Sequence, residues 1–298
     1  MSTGAIQTLL RAFIDDASLF PPGNLPMARA LPEHRDHRGG PYASLLGRFL
    51  CPASRLAELR RTLPANSPAG GLQLGVILDT DPAGLSMVLS KIAKDSRLDP
   101  AGVEIPISPQ DHQAAGAHQI LHELSALPDE LRHGRDGAEL PVFIELSREH
   151  GWRDALGLIA ARGAGAKLRT GGLIAQAFPS EFEVAEFIRA CVSEGAPFKC
   201  TAGLHNAVRH RDPETGFEHH GFLNILLATV VAVTDGRIDE LVDVLAEQDS
   251  NELVEATRRV DQATAELARR HFSGYGSCSF DEPIDDLTGL GLIDKESR

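Results

Sequence analysis

Basic residues are scarce relative to acidic ones in this chain of 298 residues. Lys and Arg together number 29 against 42 Asp and Glu, so the formal net charge is −13. A protein that binds nucleic acid or an anionic membrane through a general positive field needs the opposite balance. The composition therefore excludes a generally basic surface, and we expect neither nucleic acid nor membrane as a partner.

Long apolar runs and closely spaced cysteines are also missing. The most apolar stretch, 222–233, is shorter than the ~20 residues that span a bilayer, and it contains Asn224. The N-terminus has no basic segment followed by an apolar run, which a secretory signal would need. The four cysteines are far apart and include no CxxC pair, so we expect reduced thiols. Together these features predict a cytoplasmic protein.

Short strand-like runs alternate with helical patterns, and the hydrophobic fraction of 42% is enough for a large core. Segments with a 3.6-residue apolar period separate most of the runs, and one of them begins with a capping box at Ser180 and Glu183. The predicted strands are 12–16, 45–51, 72–79, 102–107, 142–147, 165–171, 197–203 and 222–229. Eight such units favour an α/β fold, a (β/α)₈ TIM barrel, over an open doubly wound sheet.

This pattern divides the chain into two parts. We expect residues 1–235 to form the barrel domain, with an irregular crossover at 204–221 that shows no helical face. Residues 236–298 are expected to form extra C-terminal helices, about 237–248 and 251–271, and a tail packed on the barrel.

Charged side chains occupy the C-terminal parts of five predicted strands, where a strand buried on both faces should be apolar. They are Asp15, Glu104, Glu145, Lys167 with Arg169, and Lys199. Active sites of barrel enzymes lie at this end of the strands. The charges therefore indicate either an active site or an ionic plug in which they only pair with one another.

Lys167 and Lys199 fall on consecutive strands at similar depth. If Lys167 points into the barrel, Leu168 points to the helices, and the same alternation leaves Cys200 outside. Two ammonium groups close together in a buried site lower the pKa of at least one of them. The resulting free amine can attack a carbonyl carbon and form an imine, with a nearby carboxylate moving the protons.

The strand motifs resemble those of the deoxyribose-phosphate aldolase family, a family of class I aldolase barrels, over about residues 14–205. The matching motifs are IDDASLFPP, FLCPASRLAEL, VEIPI, VFIELS, AKLRTGG and KCTAGLH. The resemblance implies that Lys167 forms the imine, that Lys199 lowers its pKa, and that Glu104, helped by Asp15, transfers protons. It also implies that no cofactor is needed, because the protonated imine is itself the electron sink.

Several positions depart from the family pattern. Arg169 replaces a serine, Ala202 replaces a glycine, His205 replaces an arginine, and the segment GFLNILLAT contains no phosphate-binding glycine loop. The sequence therefore predicts a divergent lyase that acts on a small aldehyde, keto acid or sugar-derived carbonyl compound. Side chains expected to contact this small-molecule substrate are Arg169, Thr170, Thr201, Glu145 and His205.

Two other interpretations stay open from the sequence. His205, His210, His219 and His220 cluster in the irregular crossover, and with Glu145 they favour a divalent-metal-dependent lyase or hydrolase. The departures from the family pattern favour instead a barrel without catalytic activity. For any of the three, a homodimer is the expected assembly, because symmetric dimers are the commonest soluble oligomers.

Overall fold

Eight parallel strands form a closed barrel in the computed structural model, which describes residues 3–65, 70–108, 111–148 and 151–295. Their order around the barrel is β1-β10-β7-β6-β5-β4-β3-β2. The strands are β1 (Ile14–Asp16), β2 (Leu46–Pro52), β3 (Leu72–Ile77), β4 (Leu98–Pro106), β5 (Val142–Leu146), β6 (Gly165–Arg169), β7 (Phe198–Thr201) and β10 (Phe272–Ser277). A separate antiparallel hairpin joins β8 (His210–Arg211) to β9 (Glu218–His219).

Helices surround the barrel. They are α1 (Thr3–Leu10), α2 (Met27–Gly39), α3 (Leu56–Thr62), α4 (Leu85–Ala93), α5 (Gln113–Ser125), α6 (Trp152–Ala160), α7 (Glu181–Glu194), α8 (Phe222–Val233), α9 (Ile238–Ala246), α10 (Ser250–Arg259), α11 (Gln262–His271) and α12 (Asp281–Gly289). The chain thus has the predicted (β/α)₈ architecture with additional C-terminal helices. Within the described ranges, none of the helices combines the length and apolar character needed to cross a bilayer.

The first seven strands lie where the sequence predicts them, and their alternation has the predicted phase. Leu168 and Cys200 are buried among the hydrophobic side chains, 2% and 1% exposed. Lys167 and Lys199 point the other way, where their amines meet carboxylates that come from three other strands. The capping box at Ser180 and Glu183 is also formed at the start of α7.

The eighth predicted strand, 222–229, is wrong. This segment is part of α8, and nearly every side chain from Phe222 to Thr229 is buried. A helix buried on almost all sides has no polar face, so periodicity cannot separate it from a buried strand. Because α8 follows β7 after the hairpin, it is also the helix that the sequence pattern of the crossover 204–221 does not show.

The strand that closes the barrel is β10, which lies in the segment 236–298 assigned to helices and tail. Its sequence, FSGYGS, is rich in glycine because the inner side of the strand has little room. A side chain at Gly274 would lie 2.6 Å from the Phe13 carbonyl oxygen, and that residue has a φ of +146°. At Gly276 a side chain would approach Leu50 and Thr201, 3.3 and 3.5 Å away.

Replacement of the first residue of β10 tests its part in closing the barrel. Phe272 is fully buried, with its ring stacked on Phe198 at 4.9 Å and edge-on to Phe13 at 5.1 Å. We predict that Phe272→Ala lowers the free energy of unfolding by about 3–5 kcal/mol, measured by urea denaturation. The control Phe182→Ala removes a ring that is 53% exposed and should cost less than about 0.5 kcal/mol. Equal losses in the two variants would contradict the assignment of β10 to the core.

Candidate active site

Four charged side chains from four strands meet inside the barrel. Asp15 comes from β1, Glu104 from β4, Lys167 from β6 and Lys199 from β7, and each is between 2% and 4% exposed. Lys167 and Lys199 are direct register partners on adjacent strands. The sequence prediction that these two amines share one buried site is confirmed.

Glu104 lies between the two amines and contacts both. Lys167 Nζ is 2.6 Å from Glu104 Oε2, and Lys199 Nζ donates a hydrogen bond to Oε1 of the same carboxylate. Each amine also has a second carboxylate: Lys167 Nζ is 3.0 Å from Glu145 Oε2, and Lys199 Nζ donates to Asp15 Oδ2. Two lysines therefore alternate with three carboxylates, and the negative charge of Glu104 lies between the two ammonium groups.

This alternation reverses one prediction from the sequence. Burial alone would lower the pKa of Lys167, but the charges of Glu104 and Glu145 outweigh it and hold the pKa above its ordinary value. Burial would likewise raise the pKa of Glu104, yet the charges of Lys167 and Lys199 hold it below the usual range. Two carboxylates within 3.0 Å thus favour the ammonium form of Lys167 in the resting protein, and the net direction of its pKa is opposite to the lowering that the sequence predicts.

The exposure of these side chains increases toward the C-terminal end of the strands. Glu145 is 18% exposed, and Arg169, two residues beyond Lys167, is 57% exposed with Nη1 3.6 Å from Glu145 Oε1. The guanidinium of Arg169 thus lies near the surface at this end of the barrel, and the amine of Lys167 lies deeper. The positions of Arg169 and Glu145 agree with their predicted contact with substrate, which stays a prediction.

Asp15 is fixed in place by a residue that the sequence analysis missed. The backbone N–H of Arg48, on β2, donates to Asp15 Oδ1 at 2.7 Å, and its guanidinium Nη1 lies 3.7 Å from Oδ2. The side chain is 22% exposed and lies against Gly102 on β4. Arg48 is a charge within the predicted strand LLGRFLC, and the same argument that selected Lys167 would have found it.

The two predicted threonines have different surroundings. Thr201 is half-buried, with its hydroxyl oxygen 3.5 Å from the position that a side chain on Gly276 would take, so it faces the barrel interior. Thr170 is fully buried, and its hydroxyl donates to the carbonyl oxygens of Thr201 and Ala202. Thr170 thus joins the ends of β6 and β7, and its substrate contact stays a prediction.

His205 lies beyond the end of β7 and contacts the segment that follows β10. Its Nδ1 is 2.9 Å from Glu282 Oε2, and both ring nitrogens lie within 4 Å of Cys278 Sγ. From the sequence alone, Cys278 and Glu282 belong to the C-terminal tail that is expected to pack on the barrel. Only the closure of the barrel by β10 brings them to His205.

The other histidines of the crossover have separate partners. His220 Nε2 donates to the Pro179 carbonyl oxygen at 2.8 Å, and burial lowers its pKa to about 4. His210 bonds the carbonyl of Val208 through Nδ1, and the ring of His219 packs on Phe178 at 4.5 Å. Over the part of the chain that the structure describes, no three or more His, Cys, Asp or Glu residues are grouped as metal ligands.

Comparison with known proteins assigns no function to the site. No protein-family model matches this chain, and a search of curated proteins finds no match. The fold is shared by enzymes of many chemistries. The features of this chain that bear on its function are therefore the charged cluster in the barrel and the strand motifs.

The charge of Glu104 can be tested through the pH dependence of stability. We predict that Glu104→Gln lowers the free energy of unfolding by about 3–5 kcal/mol at neutral pH, because it leaves two buried amines short of a counter-charge. Since folding lowers the pKa of Glu104, its contribution is present above the ordinary carboxyl pKa of about 4.3 and is lost as the pH falls through the lower value of the folded protein. The gap between wild type and variant should therefore narrow in acid, measured by urea denaturation from neutral to acid pH.

A surface ion pair provides the control. Glu255→Gln removes a carboxylate that is 53% exposed and lies 3.3 Å from Arg258, and it should cost less than about 1 kcal/mol at every pH. If the cost of Glu104→Gln stays constant down to the acid limit, it arises from packing and the charge assignment is wrong.

Proposed function

We propose that this protein is a carbon–carbon lyase that forms a Schiff base between Lys167 and a small carbonyl substrate, in the manner of class I aldolases. The observation that carries the proposal is the placement of one buried carboxylate, Glu104, between the amines of Lys167 and Lys199. An imine-forming site needs an amine that can become neutral and a partner that takes its proton. Glu104 and Lys167 are such a pair, 2.6 Å apart.

The proton on Lys167 has a short route to Glu104. Lys167 Nζ lies 2.6 Å from Glu104 Oε2, and among the residues that the structure describes no other group donates a hydrogen bond to this oxygen. When a carbonyl compound enters, Lys167 Nζ passes a proton to this oxygen and its lone pair attacks the carbonyl carbon. The carbonyl oxygen then takes up two protons, one that Glu104 returns and one that the attacking nitrogen loses, and leaves as water, so that the C=N bond of the protonated imine remains.

Lys199 supports this step once the proton has moved. In the resting site its charge is balanced by Asp15 and Glu104. Protonation of Glu104 removes one of these negative charges, so that the field of Lys199 then acts on Lys167 and favours the neutral amine. The lowering of the Lys167 pKa that the sequence predicts thus belongs to the step in which Glu104 is protonated.

The side chain of Arg169, near the mouth of the barrel, indicates which charged group the substrate carries. The guanidinium of Arg169 is more than half exposed and lies above Lys167, with Glu145 between them. A carboxylate on the substrate would bind this guanidinium in a bidentate pair. With Arg169 in place of the serine of the aldolase motif, we propose a keto acid or an acid-bearing aldehyde as the substrate.

One observation favours a second candidate, a barrel without catalysis whose buried charges only stabilise the fold. The amines of Lys167 and Lys199 each have two carboxylate partners in the resting state. The same pairing suits an ionic plug in which no charge is available for chemistry. Trapping of the imine separates this candidate from a lyase.

Borohydride reduction tests the imine directly. We predict that the protein incubated with pyruvate or a small aldehyde and reduced with borohydride gains one adduct on Lys167, located by peptide mass mapping. Lys167→Met should abolish this adduct, because the attacking nitrogen is gone. Lys199→Met should slow its formation, because Lys199 no longer favours the neutral amine.

The control Lys91→Met removes an exposed lysine from α4 and should leave the adduct unchanged. Absence of an adduct on Lys167 with every carbonyl compound tested, in a folded protein, would reject the lyase and leave the ionic plug. An adduct spread over surface lysines and independent of Lys167 would reject it as well.

The acid group of the substrate tests the role of Arg169. We predict that Arg169→Gln weakens the apparent affinity for pyruvate in the trapping reaction by about tenfold, since one charge-assisted contact is lost. The affinity for a neutral aldehyde of similar size should stay unchanged in the same assay. The control Arg259→Gln, at an exposed position on α10, should alter neither value. Equal weakening for the acid and for the aldehyde would show that Arg169 acts through the structure of the mouth.

A further inference from the structure

A second cluster of reactive groups lies at the C-terminal end of the barrel, outside the lysine site. Cys278 follows directly on the last residue of β10, and its Sγ lies 3.8 Å from His205 Nδ1 and 3.9 Å from Nε2. Glu282, in the first turn of α12, bonds His205 Nδ1 at 2.9 Å. A nucleophile, a base and a carboxylate that orients the base are thus in contact, which is the arrangement of an activated thiol.

The environment of His205 favours transfer of the thiol proton to the imidazole. The ring is 21% exposed, and Glu282 is 56% exposed. Contact with Cys278, and to a smaller extent with Glu282, raises the pKa of His205 to about 9 against the opposing effect of burial. His219, on the nearby hairpin, is affected by this cluster: burial and His210 lower its pKa, and the charge of His205 lowers it further.

The other three cysteines lack these features. Cys51, Cys191 and Cys200 are fully buried, and burial raises the pKa of each thiol, for Cys51 to about 12. Cys278 is half-buried, and all four thiols are unpaired with one another. The three buried thiols therefore serve as internal controls for the reactivity of Cys278, which lies at the mouth of the barrel.

The cysteine cluster is separate from the amines. Lys199 is the register partner of Gly274, and Cys278 comes four residues later in the chain. At about 3.3 Å per residue this corresponds to at most about 13 Å along the direction of the strand. The thiol of Cys278 and the amine of Lys167 thus lie toward the same end of the barrel but belong to separate sites.

We propose that Cys278, His205 and Glu282 form a second nucleophilic site, which binds a small aldehyde covalently and reversibly as a hemithioacetal. The thiol proton moves to the imidazole of His205, and Sγ attacks the carbonyl carbon. The S–C bond forms while the π electrons of the C=O bond move to the oxygen, which takes the proton back from His205. No oxidant or further reactant is consumed, and the reverse steps release the aldehyde.

The first experiment measures the nucleophilicity of Cys278 in the full-length protein with iodoacetamide at pH 6. Peptide mass mapping over time should show Cys278 alkylated about tenfold faster than glutathione in the same solution, while Cys51, Cys191 and Cys200 stay unmodified. His205→Gln should reduce the rate at Cys278 about tenfold or more, and Glu282→Gln should reduce it less. His118→Gln, at an exposed position on α5, is the matched control and should leave the rate unchanged.

The second experiment tests the ligand. Incubation with propanal, without reductant, should protect Cys278 from iodoacetamide, and dilution of the aldehyde should restore the reaction. The same protection in Lys167→Met distinguishes this site from the imine. The nucleophilic site is therefore testable even if no imine is trapped on Lys167.

Four outcomes would overturn the proposal. Alkylation of Cys278 no faster than that of glutathione, or a rate unchanged in a folded His205→Gln variant, would show that the imidazole does not activate the thiol. No protection by propanal, or protection lost in Lys167→Met, would show that the aldehyde does not bind Cys278.

Discussion

The contact of Glu104 with two buried lysines is the interaction on which the interior of this barrel depends. An isolated ammonium at 2–4% exposure would have a large desolvation cost, and two of them side by side would repel each other as well. Glu104 offers one oxygen to each amine, while Asp15 and Glu145 complete the pairing on the outer sides. Because these five groups come from five strands, the cluster exists only when the barrel is closed.

The same contact links stability with chemistry. A carboxylate that neutralises two amines in the resting state is also the group closest to the proton that imine formation must remove. The raised pKa of Lys167 is consistent with a site that stays charged until a substrate arrives, and movement of one proton onto Glu104 then alters the field at the reacting nitrogen. In the proposed lyase, the stable ionic cluster and the imine-forming site are therefore two protonation states of one arrangement of side chains.

Closure of the barrel by β10 has a second consequence at the mouth. The strand leads directly into Cys278 and the start of α12, and this brings Cys278 and Glu282 to His205 at the end of β7. β10 achieves this with glycines on its inner side, where Phe13, Leu50 and Thr201 already occupy the space. The long excursion between β7 and β10 contains a hairpin and four helices, so the elements that meet here are distant in sequence.

The sequence by itself determined the fold class, seven of the eight strands and the side of each strand on which Lys167 and Lys199 lie. These follow from local patterns, since a period of two residues fixes the side that a side chain takes, and a charge in a buried strand marks the interior. The tertiary structure alone decided that Phe222–Val233 is a helix, because burial on all sides removes the periodic pattern by which a helix is recognised. It alone also decided that a glycine-rich segment closes the barrel, because the glycines of this strand are required by the close packing of other strands around it. It also decided the charge state of Lys167: a pKa depends on distances of a few ångströms to Glu104 and Glu145, and those distances arise only when separate strands meet.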